Sequence, residues 1–326
     1  MKVLITGISG FSGSFLAERL LEQGQLVCGL SKSPSDIENV VEILGRMEVR
    51  ATDIKDAAKV GNVVAEIQPD IIYHLAAEAS THRSLQNPVE TVATNVMGTL
   101  HLLEAARRLK KAPRVLLVTY AEIYGTVQPE ETPVKETSPL RPLHPYAFSK
   151  VAVHYLAFQY YQTYQLQVIE ARAFNHIGPR QTLDFVVPDF AYQLAEIKVG
   201  LRKKKIFVGD LSAERDFCDV RDVVRAYQLI AEQGKPGEVY HVCSGSAHSI
   251  QEILDILLSF CDMEVEVVVD KGKIRPVKMP LNVGSLEKIR KELGWQPGIP
   301  LRESLLSAFE FWLEKAKTRK ADKTTA

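Results

Sequence analysis

A tyrosine and a lysine four positions apart are the residues whose types and spacing most strongly suggest catalysis. Tyr146 and Lys150 lie in the segment HPYAFSKVAVHYLA, whose apolar spacing predicts a helix with both side chains on one face. A nearby ammonium stabilises a phenolate and lowers the pKa of the tyrosine. Such a tyrosine can act as an acid or a base at a carbonyl or an alcohol, whereas in the alternative interpretation its ring only packs in the core.

A second group of candidates lies in the segment VLLVTYAEIYG, residues 115–125, which runs from apolar to polar residues. This pattern is typical of a buried strand that reaches the surface at a site. Because side chains alternate along a strand, Thr119 should point away from the face that Tyr120 lines. The alternation therefore argues against Thr119 as a residue of the site and leaves open which of Tyr120, Glu122 and Tyr124 touches the chemistry.

Three glycines near the N-terminus predict a dinucleotide site. Gly7, Gly10 and Gly13 lie between the apolar run KVLIT and the helical pattern SFLAERLLEQ. At such a junction glycine permits a tight turn, lets the backbone approach a pyrophosphate at the helix N-terminus, and lets the helix pack closely on the strand. The spacing GxxGxxG differs from the commoner GxGxxG, so its position between the first strand and the first helix carries the prediction.

The ends of the second and third strands should contact the adenosine half of the cofactor. The strand QLVCGL ends in Ser31 and Lys32 instead of a carboxylate, which favours NADP(H), with NAD(H) as the alternative. In the less favoured alternative, Lys32 is a solvated loop residue. After the third strand, Asp53 and Ile54 could meet the adenine, or Asp53 could cap the following helix.

Short apolar runs alternate with helical patterns through residues 1–175. The runs KVLIT, QLVCGL, MEVRAT, IIYHLAA, RVLLVT and QVIEARAF predict strands, with helical spacing between them. This rhythm predicts an α/β fold with right-handed βαβ units and a doubly wound parallel sheet at 1–175. We expect 176–326 to form mainly a smaller C-terminal α/β lobe, with segments near 210–245 returning to the first domain and a disordered tail at 315–326.

Composition argues against several classes of function. Lysine plus arginine (40) equals aspartate plus glutamate (40), so no global field favours nucleic acid or an anionic membrane. No window approaches the roughly 20 apolar residues of a membrane span. The four cysteines show no CxxC spacing and are too few for a disulfide framework, which predicts free thiols in a reducing cytoplasm and no metal site.

Taken together, these motifs resemble the extended short-chain dehydrogenase/reductase family, whose members act mainly on nucleotide sugars. The resemblance covers nearly the whole chain and is carried by TGISGFSGSFL, DIIYHLAA, NVMGTLHLLEAA, EIYG, YAFSK, ARAFNHIGPRQ, RDFCDVRDVVRAY, VYHVCSG and ELGWQP. It implies a Rossmann domain followed by a substrate-binding lobe.

With the residues above, the resemblance implies two sets of binding residues. The cofactor set is Gly7, Gly10, Phe11, Ser12, Gly13, Ser31, Lys32, Asp53, Ile54, Leu75, Ala76, Ala77, Asn95, Tyr146, Lys150, Phe174 and His176. The substrate set is Ser80, Asn175, Arg180, Val187, Arg215 and Arg275. Arginine forks and amide donors suit a pyrophosphate, although any one of these arginines could instead form a structural ion pair.

Within the family, FNHIGPRQTLDFV and GDLSAERDFCDVRDVV are similar to the GDP-mannose branch, which includes a GDP-4-keto-6-deoxy-mannose reductase and GDP-mannose 4,6-dehydratase. The family's third catalytic group is a serine or threonine where this chain has Tyr120. Dehydratases place a proton donor before the glutamate, where this chain has Ala121. Elimination of water needs both an acid and a base, so Ala121 favours reduction, with Tyr146, Lys150, Tyr120 and Glu122 as the catalytic set.

Other functions stay open at this point. The chain could be a dehydratase, an epimerase or reductase acting on another nucleotide sugar, or a non-catalytic dinucleotide-binding protein. Many family members dimerise through a four-helix bundle, and GTLHLLEAARRL and KVAVHYLAFQYYQTY are the matching segments. The resemblance therefore implies a homodimer with a GDP-sugar substrate, without nucleic-acid or membrane partners.

Overall fold

The fold is described by a computed structural model of residues 1–274 and 279–325. In chain order the strands are β1 (Lys2–Thr6), β2 (Leu26–Ser31), β3 (Glu48–Ala51), β4 (Ile71–His74), β5 (Arg114–Tyr120), β6 (Val168–Ala173), β7 (Asn175–Ile177), β8 (Lys205–Val208), β9 (Glu214–Asp219), β10 (Val239–Val242), β11 (Ala247–Ser249), β12 (Glu266–Val269) and β13 (Leu281–Asn282).

Helices connect most of these strands. The α-helices are α1 (Phe11–Glu22), α2 (Ala57–Ile67), α3 (Thr81–Gln86), α4 (Pro88–Val92), α5 (Gly98–Arg107), α6 (Pro145–Tyr164), α7 (Val186–Lys198), α8 (Val220–Gln233), α9 (Ile250–Leu258), α10 (Glu287–Leu293) and α11 (Leu301–Thr325). Single turns of 3-10 helix include Ala121–Tyr124, directly after β5. Across the described ranges, no helix is long and apolar enough to cross a membrane.

Seven strands form the main sheet, in the order β10-β6-β5-β4-β1-β2-β3. All neighbouring pairs in it are parallel. The chain builds outward from β1 through β2 and β3 and then continues on the other side of β1 from β4, so the strand order reverses between β1 and β4. In such sheets a dinucleotide binds outside the carboxyl ends of the strands at this reversal. The prediction of a doubly wound parallel sheet is confirmed.

Helices on both faces explain why the strands read as continuous apolar runs. In β1, Val3 and Ile5 pack in the layer that contains α1 and α8, while Leu4 packs in the layer that contains α2, α5 and α6. Both α8 and β10 come from the part of the chain near 210–245, and they pack on the sheet of the first domain. Helices therefore cover both faces of the sheet.

The second lobe has an apolar core of its own. Strand β9 pairs with β7, β11 and β13, and β8 pairs with β12. Helices α7, α9 and α11 pack around buried residues that include Phe190, Leu254 and Phe309. Since β7 follows β6 after a single residue, this lobe is joined directly to the carboxyl edge of the main sheet.

Helix α11 shows that the prediction of a disordered tail from residue 315 is wrong. The helix continues to Thr325. Ala316 is buried in the core of the second lobe, and Lys315 forms an ion pair with Glu38 at 2.6 Å. Arg319 pairs with Glu196 of α7. The basic composition suggested a solvated tail, but these contacts secure the last turns of the helix.

Candidate active site

The glycine-rich turn between β1 and α1 lies at the reversal of strand order. Gly7 has a φ of +71°, and a Cβ there would lie 2.8 Å from the backbone nitrogen of Ala76, just after β4. A Cβ on Gly13 would lie 2.2 Å from the carbonyl oxygen of Gly7. Glycine at these two positions therefore lets the turn, α1 and the chain after β4 approach one another closely.

The N-terminus of α1 suits an anion. Gly10 is the N-cap, so no side chain caps the helix, and its first turn carries no acidic residue. The unpaired N–H groups of a helix N-terminus carry partial positive charge and bind phosphate. The turn therefore fits the pyrophosphate of a dinucleotide, with Phe11 and Ser12 at the first helical positions.

The end of β2 presents a lysine. Ser31 is buried, and its hydroxyl lies 3.1 Å from the carbonyl oxygen of Ser33 and 3.0 Å from that of Asp36, so it shapes the turn. Lys32 is exposed. A positive charge at the end of the second strand is compatible with a 2′-phosphate on the adenosine ribose.

The structure after β3 shows which aspartate caps α2. Asp53 accepts a hydrogen bond from the backbone nitrogen of Lys55 at 2.9 Å, whereas the side chain that caps α2 is Asp56. The suggestion that Asp53 caps this helix is therefore wrong. Ile54 is buried and packs against Gly98 at the start of α5.

Asn95 fixes the loop that follows β4. Its Oδ1 accepts a hydrogen bond from the backbone nitrogen of Glu78 at 2.8 Å, and its Nδ2 donates to the carbonyl oxygen of Glu78 and to the hydroxyl of Ser149. This loop contains Leu75, Ala76 and Ala77, which lie beside the glycine-rich turn. Asn95 thus positions the predicted cofactor contacts instead of offering a side chain for one.

Tyr146 and Lys150 lie one turn apart near the start of α6, as their spacing predicts. Both residues are buried, with exposed fractions of 6% and 7%. The Nζ atom of Lys150 donates to the carbonyl oxygen of Val118 at 2.9 Å and lies 5.8 Å from the centre of the Tyr146 ring. The carboxyl end of β5 and the first turns of α6 therefore bring the two side chains together.

The protonation states of this pair follow from burial. Burial lowers the pKa of Lys150 to about 8. Burial, reinforced by the nearby Tyr120 and Glu122, raises the pKa of Tyr146 well above its ordinary value. The net shift is opposite to the lowering expected from Lys150, because desolvation is its largest cause. A raised pKa favours the protonated form of the tyrosine, which is the form that can donate a proton.

Tyr120 lies next to Tyr146 at the end of β5. The two ring centres are 5.8 Å apart, and the Tyr120 hydroxyl donates a hydrogen bond to Oδ1 of Asn175. Asn175 is anchored in turn by its Nδ2, which donates to the carbonyl oxygen of Asp216 at 3.2 Å. Thr119 donates to Glu170 on the other side of the strand, as the alternation of side chains predicts. Tyr120 thus links the first domain to the start of the second lobe.

Glu122 is buried just beyond Tyr120. Its Oε2 accepts a hydrogen bond from the hydroxyl of Thr81 at 3.0 Å and lies 2.9 Å from Nε2 of His144. The His144 ring stacks against that of Tyr146 with centres 6.2 Å apart. Sequence reasoning missed Thr81 and His144. The available signal was a histidine directly before the Pro145 that opens α6, an N-cap position.

His176 lies beside the glycine-rich turn and contacts the first residues of α1. Its ring stacks on Phe11 with centres 5.6 Å apart, and its Nε2 lies 2.9 Å from the hydroxyl of Ser12. Its Nδ1 lies 3.2 Å from the carbonyl oxygen of Phe174, which can only accept, so Nδ1 carries the proton and Nε2 accepts from Ser12. Burial lowers the pKa of His176 and keeps the ring neutral.

The predicted substrate residues are not all brought together. Arg180 pairs with Glu18 of α1 at 2.7 Å and lies over the ring of Phe15, so in this structure it forms the structural ion pair that was the alternative. Arg215 donates to the carbonyl oxygen of Glu214 at 2.8 Å.

The other members of this set differ in position. Ser80 caps α3, and Val187 is buried at the start of α7. Asn175 is the member that reaches the tyrosine pair, through Tyr120. Arg275 lies outside the described residues.

Comparisons with known proteins identify the family to which the chain is similar. The sequence profile of the family described as GDP-mannose 4,6 dehydratase matches residues 4–307. GDP-6-deoxy-D-mannose reductase of Pseudomonas aeruginosa is 31% identical over 97% of this chain and 98% of its own. GDP-mannose 4,6 dehydratase 1 of Arabidopsis thaliana is 32% identical over 97% of this chain and 91% of its own.

Two solved structures show the same fold. RMD from Pseudomonas aeruginosa complexed with NADPH has a TM-score of 0.84 and 30% identity, covering 96% of this chain and 99% of its own. UDP-glucose 4-epimerase of Thermus thermophilus in complex with NAD has a TM-score of 0.85 and 31% identity, covering 96% of this chain and 99% of its own. These similarities extend over both lobes.

Proposed function

The chain belongs to the extended short-chain dehydrogenase/reductase family of nucleotide-sugar enzymes, and we propose that it reduces the 4-keto group of GDP-4-keto-6-deoxy-D-mannose to give GDP-D-rhamnose. Family membership makes it an NAD(P)-dependent enzyme that acts on a nucleotide sugar. What we propose beyond family membership is the identity of the nucleotide base, the identity of the sugar and the direction of the reaction.

The position of Tyr146 is the observation that carries the proposal. Its side chain is buried, and the Nζ atom of Lys150 lies 5.8 Å from the centre of its ring. Reduction of a ketone needs one proton for the developing alkoxide, and a neutral tyrosine beside an ammonium can supply it. A site that only oxidised alcohols would instead need a base in this position.

Ala121 argues for reduction over elimination. It lies between Tyr120 and Glu122 and is 1% exposed. Loss of the C6 hydroxyl from a hexose needs a proton donor as well as a base for the C5 proton, and an alanine methyl group cannot donate one. Reduction requires no such donor at this position.

The chain's own groups account for the remaining steps. The backbone of Gly7, Gly10 and Gly13, together with the N-terminus of α1, would hold the dinucleotide. When bound, its nicotinamide supplies a hydride for the keto carbon. Tyr146 gives its hydroxyl proton to the keto oxygen, while the Lys150 ammonium stabilises the phenolate that remains.

NADP(H) is the proposed form of the cofactor. Exposed Lys32 follows directly after β2, where an acidic residue would favour the free ribose hydroxyls of NAD(H). An ammonium there attracts a 2′-phosphate. NAD(H) is the competing outcome, to be measured as the ratio of kcat/KM for the two reduced cofactors.

A dehydratase is the second candidate. Glu122 is 4% exposed and is approached by Thr81 and His144, so a group able to accept the C5 proton is in place. This candidate requires GDP-mannose as the substrate and no net consumption of NADPH. The two activities therefore differ in a directly measurable way.

The test compares substrates with the purified full chain. We expect NADPH to be oxidised in proportion to the GDP-4-keto-6-deoxy-D-mannose added, with GDP-D-rhamnose as the product. Conversion of GDP-mannose without added NADPH would establish the dehydratase instead. NADPH oxidation with a UDP-sugar and none with the GDP-sugar would overturn the assignment of the base.

A homodimer is also proposed. Phe148, Tyr155 and Phe158 occupy positions i, i+7 and i+10 of α6 and are 55%, 59% and 54% exposed. This spacing places three large apolar side chains on one helix face, and a second copy of α6 offers the same apolar chemistry. We propose that α5 and α6 of two chains pack against each other across this face.

The remaining partner and location predictions rest on composition. Cys28, Cys218, Cys243 and Cys261 are all unpaired thiols, which is typical of proteins in a reducing cytoplasm. The net charge of zero gives no reason to expect a nucleic-acid partner.

A further inference from the structure

A histidine that the reductase mechanism does not use is buried against the active-site glutamate. The side chain of His144 has no exposed surface, and its Nε2 lies 2.9 Å from Oε2 of Glu122. The same oxygen accepts a hydrogen bond from the hydroxyl of Thr81. Three side chains from α3, the turn after β5 and the start of α6 thus converge beside Tyr146.

The other ring nitrogen of His144 fixes its tautomer. Nδ1 accepts a hydrogen bond from the backbone nitrogen of Ala147 at 3.2 Å, which makes His144 the N-cap of α6. A nitrogen that accepts from an N–H cannot carry a proton itself, so the neutral ring has its proton on Nε2. The Oε2 atom of Glu122 lies 2.9 Å from this nitrogen. Protonation of both nitrogens would set Nδ1–H against the N–H of Ala147 and break the cap.

The short contact is not a hydrogen bond of regular geometry. Nε2 is completely buried and makes no such bond within the described part of the chain, although Oε2 of Glu122 is only 2.9 Å away. The N–H direction is therefore off the line to the oxygen. A small rotation of the carboxylate or of the ring completes the bond, and a buried donor without a partner strongly favours that rotation.

We infer that His144 is a positioning residue that, together with Thr81, holds the Oε2 atom of Glu122 as a hydrogen-bond acceptor beside Tyr146. The inference rests on the proposed function, since it assigns Glu122 the task of orienting the sugar by accepting from one of its hydroxyl groups. His144 can donate to Glu122 but cannot take a proton from it without losing the helix cap. The Oε2 atom of Glu122 therefore faces two donors, Thr81 and His144, and serves as an acceptor for both.

His144 lies at the start of α6, the helix that carries Tyr146 and Lys150. Only Pro145 separates it from Tyr146, and the two rings are stacked within 12° of parallel. A displaced His144 would therefore move Glu122 and Tyr146 together. Misplacing reacting groups by about 1 Å can slow catalysis on the order of a hundredfold.

Kinetics of His144→Ser separate positioning from capping. Serine is a good N-cap, so this variant keeps the start of α6 but removes the donor to Glu122. We expect kcat for NADPH oxidation to fall about ten- to a hundredfold, with KM for NADPH and the melting temperature close to those of the parent. Glu122→Gln should lower kcat at least as far, and adding His144→Ser to Glu122→Gln should have no further effect.

His144→Ala is the matched control, because it removes both the cap and the donor. It should melt at a lower temperature than His144→Ser and show the same loss of kcat. Parental kcat in His144→Ser, parental kcat in Glu122→Gln, or an equal loss from His144→Ser in both backgrounds would each overturn the inference.

Nitrogen NMR of histidine-labelled parent protein tests the pair without any sugar. The His144 signals, assigned by their loss in His144→Ser, should show a protonated Nε2 and an unprotonated Nδ1 at neutral pH, and Glu122→Gln should shift the Nε2 signal. A proton on Nδ1, or a charged ring, would refute the inference. If the parent does not oxidise NADPH with the GDP-sugar, the proposed function is wrong. The NMR measurement then still tests the contact between His144 and Glu122.

Discussion

At the scale of single residues, Tyr146 is the proposed proton donor, because it is buried with the Nζ atom of Lys150 5.8 Å from its ring centre. Tyr146→Phe keeps the ring and removes the proton donor, so we expect kcat for NADPH oxidation to fall by about 10²–10⁴-fold. Initial rates with the GDP-keto-sugar measure the effect. Tyr155→Phe is the matched control, since Tyr155 lies on the same helix, is 59% exposed, and should leave the rate unchanged. A parental rate in Tyr146→Phe would remove this residue from the mechanism.

Lys150 makes the stability of the fold depend on pH. Burial lowers its pKa from 10.5 to about 8, so between these pH values the unfolded chain binds more protons than the folded one. The contribution of Lys150 to the free energy of unfolding therefore rises with pH across this window. In denaturant titrations, the free energy of unfolding of the parent should rise relative to that of Lys150→Met between pH 8 and pH 10.5. A constant difference would contradict the buried, partly discharged ammonium.

At the scale of elements, the sequence was informative wherever the cause is local. The strands of the main sheet are apolar runs because helices cover both faces, and the GxxGxxG turn needs glycine at Gly7 and Gly13 for close backbone approach. The pair Tyr146 and Lys150 shares a helix face through spacing alone. By contrast, the contact of Thr81 with Glu122 joins residues 41 positions apart, so no local pattern could indicate it.

The start of α1 yields a prediction about an element. Gly13→Ala places a methyl group 2.2 Å from the carbonyl oxygen of Gly7, so α1 must move away from the turn. We expect the variant to lose about 1–3 kcal/mol of stability and to bind NADPH more weakly. Thermal melting and fluorescence titration with NADPH measure the two effects.

Gly61→Ala is the matched control for this substitution. Gly61 lies within α2, and a Cβ there meets nothing within 4 Å. Alanine at an open helical position should stabilise the protein by about 0.5–1 kcal/mol and leave NADPH binding unchanged. Gly13→Ala with parental stability and NADPH affinity would mean that the close approach of helix and strand is not required.

At the scale of the whole molecule, contacts between distant segments decided what the sequence could not. Arg180 was expected near the diphosphate of the substrate but pairs with Glu18 of α1, because the chain after β7 returns to the first helix. The polar end of the chain was expected to be disordered, yet Arg319 pairs with Glu196 of α7. In each case a charged side chain has a partner that becomes its neighbour only in the folded chain.

The proposed dimer gives the prediction that concerns the whole molecule. Phe158→Glu places a charge on the exposed apolar face of α6, and burying that charge against a second copy is strongly unfavourable. We expect sedimentation equilibrium to show a dimer for the parent and a monomer for the variant. Val269→Glu is the control, because Val269 is 61% exposed on β12 in the second lobe and should leave the dimer intact. A monomeric parent, or a Phe158→Glu variant with the parental mass, would exclude this face as the interface.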